Sequence, residues 1–493
     1  MIATHLPVLL ILAPLLGAIL AALSRNGVAA WLIGLVASAL TAAVAFALLW
    51  RVQAEGVISY RIGGWAPELG IEYRVDAVNA FIVVLVGIVA VLTMIFARRS
   101  VLAEIIPERV ASFYTMMLLC IAGLLGIAVT GDAFNAFVFL EISSLSTYTL
   151  IALGRDRRAL VAAYQYLIVG TIGATFYVIG VGLIYLVTGT LNLGLIVERL
   201  ASLQSSRGLI VAEAFIVIGI GLKLALFPLH AWLPNAYAYA PSSAAVLLAS
   251  TATKVAIYLL ARFLFTVFGG HIDVGSIAFG SLLIGLSLAA MFLASAAAVV
   301  QNDIKRLLAF SSVGQIGYIT LGLALANPTG ITGGLLHLFN HALMKGAAFM
   351  AMGAIVLRTG TAKLDELAGI GRVMPWTAAA LTIAGLGLIG VPGTSGFVSK
   401  YYLILGALEA GHGWLAILIV ASSFIAVLYV GRIVEVVWFR EPAAAAREAS
   451  EAPLEMLLPM WGLAGVTIWF GVHAEWPAGL ASAAADTLLR MVP

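Results

Sequence analysis

Apolar stretches of about 20 residues recur along nearly the whole chain, each long enough to cross a hydrocarbon core of roughly 30 Å. A soluble fold could not hide them, because 63% of the 493 residues are hydrophobic and only 10% are charged, against about 25% charged in globular domains. The first stretch, residues 6–24, has no basic flank before it and no small-residue cleavage site after it, so it reads as an uncleaved helix rather than a signal peptide. An all-α membrane protein with about 14 transmembrane helices is expected, the first at 6–24 and the last at 455–473. The seventh span, 209–240, and the twelfth, 375–410, are long and interrupted. Residues 57–62 and 70–75 flank a Gly/Pro-containing turn and predict a short hairpin outside the membrane.

No stretch outside the membrane could hold a nucleotide-binding domain, so any redox chemistry would belong to another subunit. The single cysteine, Cys120, excludes disulfides and cysteine-ligated iron–sulfur clusters within the chain. A net charge of +3 gives no argument for nucleic acid. Position matters more than sum. Loops after odd-numbered spans carry fourteen Lys and Arg residues and loops after even-numbered spans carry five. The positive-inside rule then places both termini outside.

Six basic residues remain within spans. Arg262 and Arg432 lie within about two turns of a span end and are expected to snorkel to the interface. Lys223, Lys254, Lys345 and Lys400 cannot easily do so, and Glu141 lies midway along the fifth span. Each such charge costs on the order of 2.5–3.5 kcal/mol at the membrane centre. Static ion pairs are the structural alternative, but apolar packing would fill that role at lower cost, so these charges are read as lining an ion path. Glu141 and Lys223 both fall near mid-membrane and would pair if their helices face each other. His337, His341 and Lys345 recur at i, i+4 and i+8, a stripe about 12 Å long on one helix face. Imidazole exchanges protons near neutral pH, so the stripe is suited to a proton relay. Haem ligation is disfavoured, since two axial ligands usually come from facing helices.

Pro228 and Pro234 interrupt the seventh span just after Lys223, and Pro392 and Gly393 interrupt the twelfth just before Lys400. Proline removes a backbone donor and glycine lets the chain unwind; freed backbone groups are tolerated in a bilayer only against protein or a hydrated cavity. A lysine-bearing broken helix at corresponding positions in two halves points to a transporter with internal repeats. The dipole of its own half-helix favours a positive charge at Lys223 and disfavours one at Lys400. Lys254 is expected to link the halves. Asp132, Glu213 and Glu435 lie near span ends and are expected to face water.

The motifs FVFLEISSLSTY, GLKLALFPLHAWLPNAYAYAPSSAAVLLAS, QNDIKRLLAFSSVGQIGY, HLFNHALMKG and GVPGTSGFVSKYY occur in that order. In them the chain resembles the antiporter-like subunits shared by Mrp-type multisubunit cation/proton antiporters and respiratory NADH–quinone oxidoreductase. The resemblance implies two inverted five-helix repeats. The regions are then 1–109, with helices 1–3 and an external hairpin at 51–76; 110–268, the first repeat; 274–439, the second; and 440–493, helix 14 and a tail. It implies that Glu141 and Lys223 form the glutamate–lysine pair, Lys254 is the linker lysine, His337, His341 and Lys345 form the central relay, and Lys400 is the exit lysine. IGGWAPELGIEYRVDAVNAF and the overall length resemble the D-type chain of the Mrp antiporter most closely. The alternative is an N-type or another respiratory or membrane-bound hydrogenase subunit. The implied partners are other membrane subunits, the lipid bilayer, protons and monovalent cations, with no cofactor and no metal, in a bacterial inner (plasma) membrane. The residues themselves leave sodium, potassium and protons alone open as the coupled ion.

Overall fold

In hydrocarbon every backbone polar group must be satisfied within the chain, and helices do this segment by segment. The computed structural model describes residues 2–24, 26–202, 207–269 and 279–490. In chain order the helices are α1 (Leu6–Leu23), α2 (Gly27–Glu55), α3 (Ala77–Glu104), α4 (Val110–Val129), α5 (Ala133–Ala152), α6 (Arg157–Thr188), α7 (Leu193–Ala201), α8 (Arg207–Leu224) and α9 (Leu233–Tyr239). They continue with α10 (Ser242–Val267), α11 (Gly280–Val299), α12 (Ile304–Ala324), α13 (Pro328–Thr359), α14 (Pro375–Ile389), α15 (Ser395–Glu409), α16 (Gly413–Phe439), α17 (Leu454–Val472) and α18 (Glu475–Leu489). Twelve of these are unbroken and long and apolar enough to cross a bilayer: all except α7, α8, α9, α14, α15 and α18. The predicted seventh and twelfth spans are each two shorter helices, α8 with α9 and α14 with α15; the expected fourteen counts each pair as one span. The predicted start of the ninth span, residue 274, lies outside the described residues.

Helix starts are fixed by short polar side chains that accept an otherwise unpaired backbone N–H. Asp76 does this for α3, Asp132 for α5, Asp303 for α12 and Asn327 for α13. Asp132 therefore does not face water as expected: it is 9% exposed, and its carboxylate accepts from the Asn135 amide at 2.6 Å. Single bridges, Asp132 to Asn192 and Asp303 to Lys363, recur just before α5 and just before α12.

The hairpin pairs β1 (Ile58–Arg61) antiparallel to β2 (Glu72–Val75), with Ile58 opposite Val75 and Arg61 opposite Glu72. Large apolar side chains such as Leu16, Trp50, Leu186, Ile417 and Phe424 stand exposed around the outside, as lipid-facing helices require. The interior is centred on α13, buried without interruption from Gly330 to Ile355 and packed by α12, α14, α15 and α17. The predicted tail after span 14 is itself the helix α18, which packs on α3 and α13 and sets Trp476 against Phe339 and Phe470.

Candidate functional site

On α5, Glu141, Ser144 and Tyr148 follow one another at i, i+3 and i+7 and so share a face. Lys223, one residue from the end of α8, reaches into that face. Its Nζ donates to Ser144 Oγ at 2.5 Å and to Tyr148 OH at 3.3 Å, and lies 3.9 Å from Glu141 Oε1. The expected carboxylate–ammonium pair is thus brought together, loosely, because Glu141 Oε1 makes no hydrogen bond among the described residues. A methyl group at Gly170 would lie 1.8 Å from the Tyr148 hydroxyl, so only glycine on α6 leaves room for this cluster. Beyond Lys223 a cavity of about 20 Å³, lined by Ser143, Ser144, Thr147 and the Ala252–Ala256 face of α10, is large enough for one water. The break after α8 contains Pro228, whereas Pro234 sits in the first turn of α9, where its missing N–H costs nothing. The Leu222 carbonyl freed by the break accepts the Trp232 indole N–H at 2.9 Å, and that indole stacks on Tyr166.

The second break is built differently. Gly390, Pro392 and Gly393 carry the turn between α14 and α15, with φ +89° at Gly390 and +86° at Gly393. The carbonyls of Leu388 and Ile389 are not capped by an indole. They accept Lys400 Nζ at 3.1 and 2.9 Å, and Ser423 Oγ is a third partner at 3.0 Å. The C-terminal end of α14 therefore stabilises this ammonium, which offsets the unfavourable dipole expected from α15 alone. The ammonium also sits 4.3 Å over the Tyr318 ring. Lys400 lies at the edge of a groove of about 390 Å³ whose other walls are mainly apolar.

Between these sites runs the α13 stripe. His337 Nε2 is 2.7 Å from Gln315 Oε1, and Gln315 Nε2 donates to the Leu388 carbonyl that also holds Lys400. His337 Nδ1 lies 2.8 Å from Ser399 Oγ, a hydroxyl able to donate or accept, so the ring is accommodated neutral or charged. His341 lies parallel to His337 at 6.2 Å between ring centres, and neither of its nitrogens has a partner among the described residues. Lys345 donates to the Leu308 carbonyl at 2.7 Å and to Ser311 Oγ, and Lys254 donates to the Ala249 carbonyl. Lys254 stands on α10, which packs against α13. The side chains of Lys254, His337, His341 and Lys345 are fully buried. No group of His, Cys, Asp and Glu suited to a metal ion occurs among the described residues.

Residues 130–426 match the family described as NADH:quinone oxidoreductase/Mrp antiporter, transmembrane. The chain belongs to this family. It is 39% identical over 487 residues to the N-type subunit of NADH-quinone oxidoreductase from Desulforudis audaxviator, covering 96% of each chain. To the D-type subunit of the Na(+)/H(+) antiporter from Alkalihalophilus pseudofirmus it is 31% identical over 424 residues, covering 86% of this chain and 85% of the relative. A chain of the Mrp complex from a Dietzia species superposes with a TM-score of 0.91 at 26% identity, over 99% of this chain and 98% of that one. The relatives just named belong to two kinds of multisubunit membrane complex, and the chain is a multi-pass membrane protein with other membrane subunits as partners.

Sequence reading missed several members of the buried network in this NADH:quinone oxidoreductase/Mrp antiporter family chain. Gln315, Ser399 and Ser423 are neutral and leave no charge signal; a lone amide inside an apolar span was the available clue to Gln315. Arg262 does not snorkel as expected. Instead it is 6% exposed and ion-paired with Asp76 on α3, far away in sequence. Arg432 does end near water, but it is held by the carbonyls of Val299 and Gln301.

Proposed function

We propose that the chain carries protons across the membrane along Glu141, Lys223, Lys254, Lys345, His341, His337 and Lys400, as one subunit of a larger complex. The observation that carries this reading is that three buried lysines, Lys254, Lys345 and Lys400, have no carboxylate partner among the described residues and are held by carbonyls and hydroxyls alone. Static ion pairs would have needed counter-charges. Neutral dipoles serve an amine that is alternately charged and uncharged. A proton arriving at Glu141 neutralises the carboxylate and loosens Lys223, and the water-sized cavity beyond Lys223 leads toward the helix that bears Lys254. At the other end the Gln315 amide and the Leu388 carbonyl connect His337 to Lys400. Glu141 has 27% of its side chain exposed on the outer face of the bundle. Facing lipid it would be costly, so a neighbouring subunit is the reading of what covers it.

Two inverted repeats, spans 4–8 and 9–13, remain our reading of the domain organisation. The recurrent bridges at Asp132 and Asp303, one at each end of the bundle by span order, support it. The loop charges support termini outside. For the parent complex we propose a sodium/proton antiporter in which this chain is the D-type member, supported by the likeness to the Dietzia Mrp complex. The 39% identity to an N-type relative favours, as second reading, the pumping module of a redox enzyme. Proton flux measured in vesicles bearing the intact complex, with and without sodium, tests both. Sodium-driven flux without flavin or iron–sulfur partners is expected; flux that requires an electron donor would establish the second reading.

A further inference from the structure

At the hairpin end of the bundle lies a cavity of about 260 Å³ outside the row just described. Glu72 and Arg74 of the hairpin, Asp76 that caps α3, Asn79 of α3, and Arg262 and Thr266 of α10 line it. Its floor is a closed hydrogen-bond cluster. Arg262 Nη2 donates to Asp76 Oδ1 and, at 2.7 Å, to Asn79 Oδ1, while Arg262 Nε donates to Tyr258 OH at 3.2 Å. Tyr258 OH also accepts from Asn79 Nδ2 and donates to the Ala128 carbonyl, each at 2.8 Å. Two polar atoms at the cavity are buried without a partner among the described residues, Asp76 Oδ2 and Thr266 Oγ1. Asp76 is 2% exposed, so its free carboxylate oxygen calls for a partner beyond the described residues, and water in the cavity is placed to supply it. The cavity has room for several waters and the polar groups to hold them.

Lys254, Tyr258 and Arg262 stand at i, i+4 and i+8 on α10 and so form one stripe of about 12 Å. The stripe runs from the linker lysine to the cavity floor. We propose that this cavity is a hydrated side access through which protons pass between the hairpin face and Lys254, with the Asp76–Arg262 pair as its gate; this rests on the proton-carrying reading above. In the forward step Asp76 Oδ2 takes a proton from cavity water. Neutral Asp76 no longer holds the guanidinium, Tyr258 loses one of its donors, and the proton passes through water to the uncharged Lys254 amine. Asp76 is then ionised again and re-forms the pair. Arg262 stays protonated throughout, since guanidinium does not give up its proton in proteins; it acts as a positioning residue.

The test uses the intact complex in vesicles. Cys120 is replaced by serine, Thr266→Cys is introduced, and a membrane-impermeant, positively charged thiosulfonate is added from either side. Labelling from one side only is expected, with proton flux about ten-fold lower after labelling than before it on the same sample. Absence of labelling from both sides, or complete labelling with unchanged flux, overturns the proposal. Asp76→Asn is the second variant. It keeps the oxygen that caps α3 and accepts from Arg262 but removes the counter-charge and the titratable oxygen, so flux is read per assembled complex and is expected to be about ten-fold lower. Wild-type flux with this variant overturns the gate. If unmodified complex shows no flux that depends on Glu141, the proton-carrying reading falls and the side access falls with it; if that flux is present, these outcomes bear on the side access alone.

Discussion

The two broken helices each set a lysine beside the break, Lys223 before it and Lys400 after it, and surround it with opposite chemistry. Lys223 has a carboxylate within 3.9 Å, a serine and a tyrosine, and the carbonyl freed by its helix break is taken by an indole. Lys400 has no carboxylate partner among the described residues, and the freed carbonyls of Leu388 and Ile389 are themselves its partners. A break therefore does more than bend a helix: it decides whether backbone dipoles are spent on a cap or offered to a charge. With a counter-charge, the occupancy of Lys223 depends on Glu141. With only neutral partners, Lys400 can lose its proton without leaving an unpaired carboxylate behind.

The largest expected effect is at the charged pair. Glu141→Ala is expected to reduce proton flux to background in vesicles while the complex still assembles. The destabilisation should stay below the roughly 3–5 kcal/mol of a fully buried broken pair, because the carboxylate is 27% exposed. Loss of the assembled complex together with flux would make the pair structural. At the neutral site, Lys400→Arg is expected to lower flux by about ten-fold or more, although the positive charge is kept, because guanidinium does not release its proton. Lys400→Glu should retain part of the activity with a displaced pH optimum, since glutamate titrates with the opposite charge. Full flux with arginine and none with glutamate would make Lys400 a fixed charge and erase the contrast.

Smaller effects sharpen the comparison. Each lysine is admitted by a glycine: Gly170 beside Tyr148 and Gly390 beside Lys400, where a methyl group would come within 2.9 Å of Cδ. Gly390→Ala adds a φ of +89° to that contact and is expected to cost about 1–3 kcal/mol by thermal unfolding. Gly170→Ala meets no such backbone penalty, but its methyl overlaps the Tyr148 hydroxyl, so it is expected to cost about 1–3 kcal/mol by overpacking and to lower flux as well by displacing the partner of Lys223. Wild-type flux in Gly170→Ala would show that the Tyr148 contact does not matter to the first site. Smallest is Ser423→Ala, which leaves both carbonyls on Lys400 and is expected to cost about 0.5–1.5 kcal/mol, a few-fold in flux.

The spans, the two breaks and the charged members of the row were legible because a lysine, glutamate or proline in an apolar run stands out against everything around it. What joins them was not. Asp76 and Arg262 meet across the fold, and each alone looks like an ordinary residue near a membrane surface. The dipole expectation at Lys400 counts only its own helix, because nothing local says that the end of α14 folds back onto it. Gln315 and Ser399 are neutral, and their importance lies in which histidine nitrogen they touch. The helix α18 reads as a tail from sequence: its alanine-rich face is too weak a signal until α3 and α13 are there to receive it.

The most direct test of proton passage through the buried row is Lys345→Met, read as proton flux and thermal stability on the same intact complex. Methionine keeps much of the volume and removes a buried charge held only by the Leu308 carbonyl and Ser311. Replacing a buried ion pair by well-packed apolar groups is often neutral or stabilising by about 1–4 kcal/mol, and a buried ammonium without a counter-charge is costlier still to keep. If the lysine is there to carry protons, flux falls to background while stability holds or rises. Undiminished flux, or a loss of flux that only follows unfolding, would contradict it.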